Sequence, residues 1–218
     1  CLQNLHVIFA IDRAGLVGSD GETHQGCFDL SYLSMIPNMT VLAPKNKWEL
    51  SDMLKFAVRY QGPIAIRYPR GEAYDGLEEY REPMVYGKSE LIFEGEETAL
   101  LSVGSMVETA VEVREKLKAD KINATLVNAR FIKPLDTKIL DRLALKHKKI
   151  VTMEENVKNG GFGMAVSEYM QEYHPEVKVQ IIALPDAFIT HGNPKLLKAK
   201  AGIDADSIYG AIKEAEKR

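Results

Sequence analysis

Two arginines, an aspartate and a histidine are the residues of this sequence best suited to chemistry. Arg13, Asp20 and His24 fall in one segment, DRAGLVGSDGETHQG at 12–26, whose glycines at 15, 18, 21 and 26 disfavour a regular helix or strand. Arg70 sits in a second short motif, Tyr68-Pro69-Arg70-Gly71. A guanidinium matches phosphate geometry with paired donors, so two arginines on one rim can hold the phosphate of a phosphosugar. By position alone, two surface arginines paired with acids is an equal reading. The His24 imidazole can move a proton near neutral pH or hydrogen-bond a developing alkoxide, although a lone loop histidine is usually solvated. Asp20 can recognise a hydroxyl group, or it can be a turn residue before Gly21.

The elements that must position these residues are legible around them. Apolar runs at 5–11, 39–43 and 63–68 read as strands. A helix over 26–36 is stopped by Pro37. A second begins at Asn46, where Glu49 completes a capping-box spacing and Leu50, Met53, Leu54, Ala57 and Val58 form one stripe. The order strand, loop, helix, strand, helix, strand implies parallel strands with right-handed crossovers. Arg13 and Arg70 then follow the carboxyl ends of two strands, the edge of an open sheet where ligands bind. Three strands make a small sheet with an unpaired edge. Residues 71–96 lose periodicity and read as a linker with a strand near 89–93.

A second α/β unit follows. Strands are expected at 98–103, 123–128, 150–154 and 177–182. Helices are expected after a Ser105/Glu108 capping box, over 137–146, along the stripe Phe162 to Tyr173, and near 193–201 and 204–217. The division is 1–80, a linker at 81–96, and 97–218. His6 reads as packed or edge-exposed, and His147 and His174 as solvated. Glu154-Glu155 reads as structural, and no residue spacing suggests a metal site.

Composition narrows the function classes. With 28 basic and 31 acidic side chains, a net charge of −3 and no basic block, nucleic acid is not an expected partner. No apolar run approaches the roughly 20 residues of a membrane span. Cys1 and Cys27 make no disulfide framework, so a reducing cytoplasm is the expected compartment.

Four motifs, DRAGLVGSDGETHQG at 12–26, YPRG at 68–71, RFIKPLD at 130–136 and EENVKNGGFG at 154–163, give the chain a resemblance to the 1-deoxy-D-xylulose-5-phosphate synthase family of the transketolase superfamily. Their order and spacing extend it over nearly the whole length. The resemblance implies an α/β fold: part of a parallel-sheet pyrimidine-binding domain, then a transketolase C-terminal domain. It implies an enzyme that uses thiamine diphosphate and Mg²⁺ to condense pyruvate with glyceraldehyde 3-phosphate, releasing CO₂, for isoprenoid precursor, thiamine and pyridoxal supply. It also implies a cytoplasmic homodimer. In that family the residues matching Arg13 and Arg70 contact the aldehyde's phosphate, that matching Asp20 a substrate hydroxyl, and that matching His24 the reactive carbon of the thiamine adduct. The family's Gly-Asp-Gly motif does not occur, and its catalytic glutamate is expected upstream of residue 1, with the remaining cofactor contacts. The chain therefore reads as a carboxyl-terminal piece, inactive by itself, with the missing amino-terminal part as its partner. Two alternatives are another transketolase-like or 2-oxoacid dehydrogenase beta-type subunit, and a non-catalytic dimerisation module.

Overall fold

The computed structural model describes residues 1–216; the expected helix end at Lys217 lies outside them. Strands β1 (Ile8–Ile11), β2 (Thr40–Leu42) and β3 (Ile64–Arg67) alternate with helices α1 (Asp29–Ser34) and α2 (Lys47–Arg59). β3 lies between β1 and β2 and pairs parallel to both, as the strand–helix alternation implied. β1 is at one edge of its sheet, where Phe9 and the preceding Val7 are about two-fifths exposed.

The second sheet has the order β4-β6-β5-β8-β9. Its strands are β4 (Glu90–Phe93), β5 (Glu97–Ser102), β6 (Thr125–Asn128), β8 (His147–Val157) and β9 (Lys178–Leu184). Only β4 runs antiparallel to its neighbour, β6. Helices α3 (Met106–Ala119), α4 (Thr137–Ala144), α5 (Phe162–Tyr173), α6 (Pro194–Ala201) and α7 (Ala205–Glu216) complete the unit. No helix among the described residues is long and apolar enough to cross a membrane.

The two units share more than a linker. β7 (Phe131–Lys133), which follows β6, leaves its own sheet and pairs antiparallel with β2. Phe131 is fully buried among Leu42, Met53, Ile64 and Ile66 of the first unit. This strand was not foreseen, because three residues give no periodicity to read. The α2 stripe is narrower than expected: Met53 and Ala57 are buried, while Leu54 and Val58 are exposed.

Two capping boxes resolve differently from the sequence reading. The Asn46 side chain accepts from Glu49 N–H at 2.9 Å, but the Glu49 carboxylate answers Lys45 N–H at 2.7 Å instead of Asn46. Ser105 has helical backbone angles and makes no cap. Its hydroxyl donates to Glu155 Oε2 at 3.2 Å. His147, expected to be solvated, is buried and bonded to Thr125 Oγ1 (2.7 Å) and Leu143 O (2.9 Å). β8 begins there, three residues before the expected strand, and carries the ring inside.

Candidate functional site

The loop after β1 closes on itself at its base. Gly15 N–H donates to Gly26 O and Gly26 N–H to Arg13 O, both at 2.9 Å, while Ala14 N–H donates to Tyr68 O beyond β3. That last bond ties the loop to the segment carrying Arg70. Arg13 has φ 59°, a left-handed conformation that turns the chain at the strand's end.

These constraints bring three of the four expected residues together. Arg13 Nε donates to Asp20 Oδ2 at 2.9 Å, and Arg70 Nη1 donates to Asp20 Oδ1. Arg13 also pairs with Asp12 at 2.6 Å. Hydrogen bonds from Arg70 and then Arg13 hold the Asp20 carboxyl below its ordinary range. Asp20 thus occupies the ground between two guanidinium groups. Arg70 Nε and Nη2 have no partner among the described residues, so donors remain for a ligand.

His24 stands apart from that trio. It is exposed, with Thr23 Oγ1 at 2.8 Å from Nδ1, and lines an open hollow of about 340 Å³ with Arg13, Gln25, Phe28 and Tyr32. Arg70 lines a different hollow of about 570 Å³ between the units, with Ser19, Tyr68, Ser105, Glu155 and Lys198. The arginines meet at Asp20, and each also lines a hollow.

Several supporting residues were not singled out from the sequence. Arg67 is buried; Nε donates to Asp29 Oδ1 (2.8 Å), and Nη2 donates to Gly26 O (2.6 Å) and Glu155 O (2.8 Å). Gln25 Nε2 donates to Ile189 O at 2.6 Å. The only sequence signal for Arg67 was its place at the end of an apolar strand, where a charge must find partners. Cys27 is buried, and burial, reinforced by the Glu155 charge, pushes its thiol up to about 12, so it offers no thiolate nucleophile.

Glu154 is fully buried and accepts from the N–H groups of Phe162 (2.9 Å) and Gly163 (2.8 Å) at the start of α5. Burial raises its carboxyl from 4.5 to about 7, against the pull of those donors and of Arg67. Between these values the native chain keeps a proton that the unfolded chain has released. Stability is therefore expected to fall as pH rises from 4.5 to about 7 and to level off above. Urea midpoints for Glu154→Gln should show a flatter slope across that window than the parent chain. Equal slopes would mean that the carboxyl titrates normally.

The comparisons with known proteins agree with this architecture. The transketolase C-terminal domain family matches residues 87–208, more than half of the chain, and the transketolase pyrimidine binding domain family matches residues 1–75. The chain belongs to the transketolase family. It is 55% identical, over 97% of its length, to 1-deoxy-D-xylulose-5-phosphate synthase of Lachnoclostridium phytofermentans. It is 47% identical, over 100% of its length, to the synthase of the same name from Desulforudis audaxviator. In each case it covers 34% of that protein, so the chain spans about a third of the length of the curated relatives it matches. Among solved structures, a split gene transketolase described as an inactive beta4 tetramer superposes with a TM-score of 0.89 at 29% identity. The match covers 99% of this chain and 68% of that one. The family resemblance carried by the four sequence motifs therefore stands.

Proposed function

We propose that this chain supplies the acceptor-substrate side of a thiamine-diphosphate-dependent synthase that joins pyruvate to glyceraldehyde 3-phosphate with loss of CO₂. The observation that carries the reading is the convergence of Arg13 and Arg70 on Asp20 at the carboxyl ends of β1 and β3, beside the loop that bears His24. The naming of its relatives supports the same reaction. In this reading the arginines grip the phosphate, Asp20 yields part of its contact to it and accepts from the aldehyde's hydroxyl, and His24 hydrogen-bonds the oxygen whose charge changes as the carbon–carbon bond forms.

Thiamine diphosphate supplies the carbanion chemistry of that reaction. No three His, Cys, Asp or Glu side chains among the described residues gather to hold the Mg²⁺ that accompanies its diphosphate. We propose that the cofactor's other contacts lie in the part of such a synthase that this chain does not span, and that the enzyme is a cytoplasmic homodimer. A second reading, a self-associating subunit without turnover of its own, is supported by the likeness to a split gene transketolase that is an inactive tetramer.

Grafting this chain in place of the matching third of the Lachnoclostridium synthase tests the proposal. The graft should release CO₂ from pyruvate when glyceraldehyde 3-phosphate is supplied. Transfer of a two-carbon unit from a ketose donor, without CO₂, would instead assign a different transketolase-type reaction. In the active graft, Arg13→Ala and Arg70→Ala should each lower kcat/KM for the phosphorylated aldehyde about ten- to a hundredfold, the roughly 1.5–3 kcal/mol of one charge-assisted contact. Use of unphosphorylated glyceraldehyde should change little. Normal kinetics in both variants would move the phosphate site elsewhere.

A further inference from the structure

The Glu155 carboxylate reaches across from the second unit into the loop that carries the candidate site. Glu155 is 3% exposed, at the carboxyl-terminal part of β8. Its Oε1 accepts from Leu16 N–H at 2.7 Å. Its Oε2 accepts from Ser105 Oγ at 3.2 Å and pairs with Lys198 Nζ, from α6, at 3.0 Å. One carboxylate thus joins the loop, the start of α3 and α6. The fit is tight: a Cβ on Gly15 would lie 2.4 Å from Glu155 Cδ, and Gly15 has φ +76° besides. The loop is therefore built around this side chain, with glycine where the carboxylate presses.

The contact falls at a decisive place. Leu16 lies between the base, fixed by Gly15 and Gly26, and the turn in which Asp20 N–H donates to Val17 O at 2.8 Å. Beyond it, Gly18 O accepts from Gly192 N–H at 2.8 Å. Residues 16 and 18 are thus both held from the second unit, and Asp20, two residues on, is the group on which Arg13 and Arg70 converge.

We infer that Glu155 is the positioning residue of the candidate site: through Leu16 N–H it sets the backbone that presents Asp20 to the two arginines. The inference gives the second unit a direct part in shaping the site. It rests on the proposed phosphate role only for its ligand arm.

The test uses the ¹⁵N-labelled chain. In Glu155→Ala, the Leu16 amide should exchange about tenfold faster or more, the Arg13 Nε–H signal should shift, and amides of β5 and α3 should keep their protection. Glu155→Gln, which keeps an acceptor oxygen, should restore Leu16 protection. If the alanine variant does not fold, Glu155→Asp decides. It keeps the charge but falls short of Leu16, and should show the same local loss. Unchanged Leu16 and Arg13 signals in the folded variant would overturn the inference. Titration with glycerol 3-phosphate adds the ligand arm: its binding should weaken about tenfold in Glu155→Asp. A parent chain indifferent to this phosphate ester would count against the phosphate reading, while the exchange data would still judge Glu155.

Discussion

Arg130→Ala is expected to destabilise the chain by about 3–5 kcal/mol, the cost of stranding buried charges. Arg130 is 2% exposed. Its Nε donates to Glu49 Oε1 at 2.7 Å and its Nη2 to Glu90 Oε1 at 2.6 Å and Glu82 O at 2.9 Å. Lys45 Nζ reaches Glu90 Oε2 at 2.6 Å and Glu49 at 3.3 Å, and the Asn128 amide donates to both carboxylates. Two cations thus balance two anions with almost no water, on residues drawn from both units. Without Arg130, two carboxylates face one ammonium, and the surplus charge must take up a proton or draw in water. The exposed pairs Lys47–Asp75 and Lys148–Glu97 are different: each contributes about 0–1 kcal/mol. Urea unfolding of Arg130→Ala beside Lys148→Ala separates the cases. Losses of under about 1 kcal/mol in both would mean that the cluster is solvated.

This cluster shows where sequence reading stops. The motif RFIKPLD was recognised as a family mark, yet its physical work lies in contacts made far along the chain. Arg130 meets Glu49, 81 residues earlier, and Phe131 crosses into the first core. Neither follows from local pattern, since ion-pair partners separated by a whole unit leave no spacing to read. The parallel strands were legible because apolar runs alternated with a capped helix, and the unpaired edge followed from counting them. The closeness of Arg13 and Arg70 was legible for a related reason, since both follow parallel strands whose carboxyl ends share an edge; the place of Asp20 between them was not. Glu155 escaped notice as a site-shaping group because an acidic pair after a strand looks like a helix entry. Glu154 does serve that entry, while its neighbour, on the opposite face of the strand, serves the loop.

His24→Ala, in the active graft, is expected to lower kcat by roughly ten- to a thousandfold, what one positioned donor or general acid contributes. The side chain is exposed and its one hydrogen bond is to its neighbour Thr23. Nothing in the packing depends on it, so folding stability should move by no more than about 0.5 kcal/mol. That contrast makes the result decisive. A residue kept for structure would change the melting temperature and leave turnover per folded molecule alone. A residue acting in the transition state would do the reverse. Because the Thr23 contact engages Nδ1, the proposed catalytic role falls to Nε2, in the hollow shared with Arg13. Thr23→Val tests that assignment: it removes the hydroxyl that orients the ring and should produce a smaller loss in kcat of the same kind. Parental kcat in a well-folded His24→Ala graft would end the catalytic role and leave the arginine pair as the active part of this loop.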